Sequence, residues 1–355
     1  MSEPPVTQAK LVQSARYLGY ERPVRYAKRV KLFQQLPFIV NTNPHIHSVY
    51  LQYFRNFEES RHHAQQQAQQ QQQTWEQQQQ EFIRMLARHS DTLKHIMPGI
   101  ARGFYETRMY FGPRERKQFL DQLITMRIGL RLLTSQHLAL YSRYRDTVDD
   151  PVADQADCDR FGGIVDSNGI DLKQFVHTCA QGVQAMCEMA LGDVPRFIID
   201  GDAGGAAFRY VPSHLEYMVI ELLKNAFRAS LNHQPEGNSP PPPVLITVSH
   251  GCGKVAIRIR DRGGGIPRRI HARVFDYSFT TEEAAGDQGD PTATLAAVSD
   301  GHGPFAGLGF GLPMTKIYAE YFGGSLHLIS LEDYGCDVFL ELPSIEPAHA
   351  SQIHI

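Results

Sequence analysis

Through the first 145 residues apolar positions recur at helical spacing. Tyr17, Leu18 and Tyr20 lead into Pro23, and Val24, Ala27, Val30 and Leu32 continue the stripe. Pro37 and Pro44 punctuate it. A second helix is predicted from about His47 to Glu59, with Val49, Tyr50, Tyr53, Phe54 and Phe57 on its apolar face. A third is predicted over Glu81 to Arg108, broken near Pro98 and Gly99. A long fourth runs over Pro113 to Tyr144, with Phe119, Leu120, Leu123, Ile124, Ile128, Leu132 and Leu133 as its stripe. Four helices with short connections predict an antiparallel four-helix bundle. Between the second and third lies a glutamine tract, 65–80, with Trp75 in its middle. Its composition predicts a disordered interhelical loop; a recruitment tract is the alternative.

Six aspartates and Pro151 then fall between Asp146 and Asp159, and the pattern changes. Helices are predicted over Leu172 to Leu191, Leu215 to Leu231 and Pro313 to Tyr321. Ser213 and Glu216 are placed to form a capping box at the second, and Gly323-Gly324 ends the third. Arg196 to Asp200 reads as a strand. Val244–Ser249 and Lys254–Arg260 alternate apolar and polar residues around His250-Gly251-Cys252-Gly253 and predict a hairpin. Ser325–Leu331 and Asp337–Leu342 predict another, turned at Asp333-Tyr334-Gly335. The expected plan is two domains. A helical-bundle domain covers 1–145, an acidic linker 146–160, an α+β sandwich with its helices on one sheet face 161–345, and a tail 346–355.

Composition narrows the function classes. A chain of 355 residues with 42% apolar content can bury two cores. A formal charge of −3 gives no support to general nucleic-acid binding, and no apolar run has the length of a membrane span. The five cysteines lack CxxC spacing, which predicts free thiols in a reducing compartment. The start, MSEPPVTQAK, resembles neither a secretory signal nor a mitochondrial presequence. Either the chain is cytosolic or its true start lies upstream.

Three segments carry candidate chemistry. In LEYMVIELLKNAFRASL, Leu215, Met218, Val219, Leu222 and Ala226 can line a buried side, while Glu221, Asn225 and Arg228 share another face. Asp261-Arg262-Gly263-Gly264-Gly265-Ile266 follows a strand directly. Its glycines permit positive φ and close approach of a ligand, and Asp261 can accept a hydrogen bond from an exocyclic amine such as that of adenine. Gly307-Leu308-Gly309-Phe310-Gly311-Leu312 opens a helix at Pro313, and free N–H groups there make a phosphate cradle. The spacing is neither a Walker loop nor a clean GxGxxG.

Each piece alone also suits an ordinary surface helix or turn. Their order resembles the ATPase fold shared by histidine kinases, gyrase-type topoisomerases, the large heat-shock chaperone and mismatch-repair MutL. Within that superfamily the chain resembles the mitochondrial 2-oxoacid dehydrogenase kinases. SARYL, PVRYAKR, LPFIV, RIGLRLL and QHLAL carry the resemblance in the first half, and ELLKNAFRAS, IRDRGGGI, FTT, GFGLP and AEYFGGSL in the second.

The resemblance implies an ATP-dependent serine kinase that uses Mg²⁺, with K⁺ as a candidate second ion. Its target would be the decarboxylase α subunit of a pyruvate or branched-chain complex, which phosphorylation inactivates. It further implies docking on a lipoyl domain, a homodimer and the mitochondrial matrix. Mapped by motif, Glu221 would be the general base and Asn225 the Mg²⁺ ligand, with Arg228 beside them. Asp261, Gly263 and Gly265 would hold adenine, Thr280 and Thr281 would contact nucleotide, and Gly307, Leu308, Gly309, Phe310, Gly311 and Leu312 would hold phosphates. A lid over about 282–306 would close on ATP. One turn before Glu221, where pyruvate dehydrogenase kinases carry histidine, stands Tyr217, which resembles the branched-chain kinase. The tail lacks their Asp-Trp dimerisation motif. Two rival readings are a histidine kinase with His137 as phosphoacceptor, and a lipoyl-binding pseudokinase scaffold.

Overall fold

A computed structural model describes residues 7–69, 74–93, 96–149, 164–165, 169–191, 194–201, 208–233, 240–251, 253–277, 279 and 309–345. The chain divides into two compact units that part between Ile164 and Val165.

The first unit is helical: α1 (Gln8–Gln34), α2 (Phe38–Asn41), α3 (Pro44–Gln69), α4 (Trp75–Thr92), α5 (Ile96–Glu106) and α6 (Pro113–Asp149). α1 packs on α3 and α6, α5 on α3, and α4 on α6. The predicted third helix is two helices. Its break lies ahead of Ile96 rather than at Pro98, because Pro98 sits in the first turn of α5, where a missing N–H breaks no hydrogen bond. Both described ends of the glutamine tract are helical rather than looped. α3 runs to Gln69, and α4 starts on a capping box in which Thr74 and Gln77 each bond the other's backbone. Glutamine is a good helix former, so polarity alone does not predict a loop. Residues 70–73 lie outside the described set.

The inward face of α1 also differs from the expected one. Tyr17, Tyr20 and Val24 are exposed, while Leu11, Ala15, Leu18, Arg22, Tyr26, Arg29 and Phe33 are buried. Two guanidinium groups therefore lie on the stripe facing α3 and α6. Arg22 reaches His89 Nδ1 at 2.6 Å, and His89 Nε2 lies 2.7 Å from Glu59. Arg29 donates to the carbonyls of Arg25 and Met126. α6 buries its predicted Phe119, Leu120, Leu123, Ile124, Ile128 and Leu132.

The second unit holds α7 (Leu172–Leu191), β1 (Phe197–Asp200), α8 (Pro212–Asn232), β2 (Val244–Gly251), β3 (Lys254–Arg260), α9 (Arg268–His271), α10 (Gly311–Tyr321), β4 (Ser325–Leu331) and β5 (Gly335–Pro343). The sheet order is β1-β2-β3-β5-β4, with β1 parallel to β2 and the remaining pairs antiparallel. Register aligns Val248, Ile257, Leu340 and Leu326 across four strands, all buried. The layer α7–α8–α10 covers that side. On the opposite side Arg258 and Arg260 both pair with Asp337. The mixed α+β sheet agrees with the expected fold class. The capping box at Ser213 does not form. Pro212 takes the first helical position after Val211, so Ser213 already lies inside α8.

Candidate functional site

α8 organises the site because its buried stripe is largely apolar, with His214 and Ser230 as its buried polar members. Leu215, Met218, Val219, Leu222 and Ala226 all face inward, which leaves Glu221 and Arg228 half-buried and Asn225 exposed. Lys224 Nζ stands 2.5 Å from Glu221 Oε1, and each side chain keeps under a fifth of its surface exposed. The other carboxylate oxygen lies against Gly311, the first residue of α10. A Cβ there would sit 2.6 Å from Glu221 Oε2. α10 has no side-chain cap and no acidic residue in its first turn. Glu221 thus brings negative charge from another helix to its positive end.

The seam continues along both helices. The Tyr318 ring on α10 meets Tyr217 at 4.9 Å and His214 at 4.8 Å. Advancing along α8 from His214 to Glu221 means retreating along α10 from Tyr318 to Gly311, so the two run antiparallel. Phe310, buried just before α10, packs on Tyr277 at 5.1 Å. Gly309 takes a φ of 69°, a left-handed turn that glycine enters without strain.

At the other end of α8 lies the Asp261 turn. Asp261 is buried at the end of β3. Its Oδ1 accepts from the N–H of Gly263 at 2.9 Å and of Cys336 at 3.2 Å. Burial pushes its carboxyl above the ordinary range; those two N–H groups oppose the rise, and nearby Asp337 adds to it. Gly263 rests on Ala229 of α8, where a Cβ would overlap side chain and backbone. Ile266 N–H donates to Ser330 Oγ at 2.7 Å and holds the turn to β4.

All three motifs therefore gather along α8. Thr280, Thr281, Gly307 and Leu308 lie outside the described residues, as does the expected lid. Among the described residues no group of three or more His, Cys, Asp or Glu side chains could hold a metal. Sequence reasoning passed over Lys224, although its i,i+3 offset from Glu221 was a legible signal. It also passed over Cys336 N–H, which lies 75 positions from Asp261 and carried no local signal.

His137 does not suit a phosphoacceptor. It is fully buried, its Nδ1 lies 2.9 Å from Ser14 Oγ, and burial pushes its pKa down to about 4. Among the described cysteines, Cys179, Cys187 and Cys336 are free and buried. No described helix is long and apolar enough to cross a membrane.

Two family models match the chain. One, described as mitochondrial branched-chain alpha-ketoacid dehydrogenase kinase, covers residues 1–166. The other, described as histidine kinase-, DNA gyrase B-, and HSP90-like ATPase, covers residues 210–346. A mitochondrial pyruvate dehydrogenase (acetyl-transferring) kinase from Arabidopsis thaliana is 29% identical over 95% of this chain and 86% of its own length. The isozyme 4 kinase of Mus musculus is 28% identical over 96% of this chain and 78% of its own. The Schizosaccharomyces pombe kinase is 35% identical over 63% of this chain and 49% of its own.

Proposed function

Since the chain belongs to the mitochondrial 2-oxoacid dehydrogenase kinase family, we propose that it phosphorylates a serine on the decarboxylase α subunit of a pyruvate or branched-chain 2-oxoacid dehydrogenase complex. ATP is the donor, and the modification switches the complex off. The observation that carries this reading is the placement of two carboxyl groups along one helix. Glu221 meets the first turn of α10, and Asp261 stands behind the turn seated on Ala229.

In this reading Glu221 accepts the serine proton as the serine oxygen bonds to the γ-phosphorus. The bond from that phosphorus to the β-bridging oxygen breaks, and ADP leaves. Phosphoryl transfer depends mainly on positioning and charge neutralisation, and a placed base contributes about 10²–10⁴ in rate. Gly309, Phe310, Gly311 and Leu312, with Gly307 and Leu308, hold the phosphates at the α10 start. Asp261 receives the adenine amine through Oδ2, since both backbone donors fall on Oδ1. Gly263 and Gly265 flank the base, Thr280 and Thr281 contact the nucleotide, and Arg228 lies beside Asn225.

Mg²⁺ would supply neutralisation of phosphate charge, and the Asn225 carboxamide oxygen would hold it. A single protein ligand suits Mg²⁺, which is commonly held by few protein groups. K⁺ is the monovalent ion of this reading. The matrix is the compartment, and a lipoyl domain docks on the helical unit. A homodimer would cover the sheet face opposite the helices, where Ile329 and Leu331 are exposed.

Purified protein with labelled ATP and both decarboxylases as competing substrates tests the proposal. Label stable to acid and lost in base, on one α subunit, is expected. Acid-labile, base-stable label on the kinase itself would instead revive the histidine mechanism, and ATP turnover without protein labelling would overturn the decarboxylase assignment.

A further inference from the structure

We infer that Lys224 is a positioning residue for phosphotransfer, acting through Glu221 rather than on the nucleotide. The inference rests on the assignment of Glu221 as base and deepens it.

A glutamate has three side-chain torsions, and ordering them opposes productive aim. Two contacts restrict Glu221. Lys224 Nζ sits 2.5 Å from Oε1, one turn ahead on the same helix. Oε2 lies against Gly311, whose missing side chain leaves room for it. The carboxylate is thus stretched between an ammonium group and the first turn of α10. Both partners of the ion pair are largely covered, at 18% and 19% side-chain exposure, so solvent screens it less than an open surface pair. The Tyr217–Tyr318 contact, one α8 turn earlier, fixes the distance between the helices. Aim is worth much at this step, since a misplacement of about 1 Å can cost about 10²-fold in rate. The same geometry explains Gly311, because a methyl group there would push the carboxylate off its line.

A double-mutant cycle with wild type, Lys224→Met, Glu221→Gln and the double variant tests this, with Lys224→Arg as the conservative control. kcat and the KM for ATP are measured on the decarboxylase substrate, and ADP affinity by calorimetry. Lys224→Met should lower kcat by about tenfold or more with KM for ATP and ADP affinity nearly unchanged. Lys224→Arg should recover most of kcat. In the Glu221→Gln background Lys224→Met should have almost no further effect.

Equal loss in both backgrounds, or a loss seen mainly in KM for ATP, would overturn the inference and place Lys224 on the nucleotide. Unchanged kcat in Lys224→Met would also overturn it. Should Lys224→Met lose ADP affinity through misfolding, Lys224→Gln carries the same cycle. If Glu221→Gln itself keeps full activity, the base assignment has failed, a result separable from any of these.

Discussion

The two units treat buried charge in opposite ways. Among the described residues, the helical unit buries Arg22, Arg29, His89 and His137, while the α+β unit buries His214 and, as its only carboxylate, Asp261. In the helical unit Arg22 and Arg29 sit mid-helix on α1, on the same stripe as Leu18 and Phe33, and His89 lies in the last turn of α4. In the α+β unit the sheet interior is apolar, and charge emerges where elements end, as at β3 and the start of α10. Burial of a charge alone therefore says little about chemistry. A charge at the end of an element, beside free N–H groups and glycines, says more.

The largest expected effect separates function from stability in the α+β unit. Asn225 is exposed, so Asn225→Ala should abolish Mg²⁺-dependent ATP binding while leaving the melting temperature almost unchanged. Calorimetric titration with intact Mg²⁺-ATP affinity would remove the metal role.

Acid should then break the comparison from the other side. Burial holds His89 and His137 down at about 4, against 6.5 for a free imidazole. Between those values the unfolded chain takes up protons first. Stability of the helical unit is therefore whole above about pH 6.5 and falls progressively toward about pH 4, by several kcal/mol in all. Asp261 has the opposite sign, because its raised carboxyl lets the folded state bind the proton first. Hydrogen exchange from pH 7 to 4.5 should show the helical unit losing protection before the sheet. Earlier loss in the sheet would contradict it.

Two glycines sharpen the contrast at smaller scale. Gly263→Ala drives a methyl into Ala229 and its backbone and should destabilise by about 1–3 kcal/mol. Gly182, in α7, has nothing within 4 Å of where a methyl would stand, so Gly182→Ala should stabilise by about 0.5–1 kcal/mol. Thermal melts distinguish the two directions.

How much was legible in the sequence follows the same divide. Where the interior is apolar, periodicity sufficed. The α8 stripe, the α6 stripe and both hairpins fall where the pattern puts them. On α1 it pointed to Val24, because a rule that scores hydrophobicity cannot select a stripe containing Arg22 and Arg29. The α8 start was misread at Ser213, since Pro212 takes the first helical position and puts Ser213 inside the helix. Of the proposed site, Glu221, Asn225 and Asp261 are picked out by motif. Lys224 is legible from its spacing to Glu221, whereas the contacts of Gly311 and Cys336 are not, because they arise only through tertiary packing.

The most direct measurement compares wild type with Glu221→Gln in single-turnover transfer from labelled ATP to the decarboxylase serine, with ATP affinity measured in parallel. Affinity should stay within about twofold while the transfer rate falls about 10²–10⁴-fold. Undiminished serine phosphorylation by Glu221→Gln would contradict the assignment of Glu221 as the base.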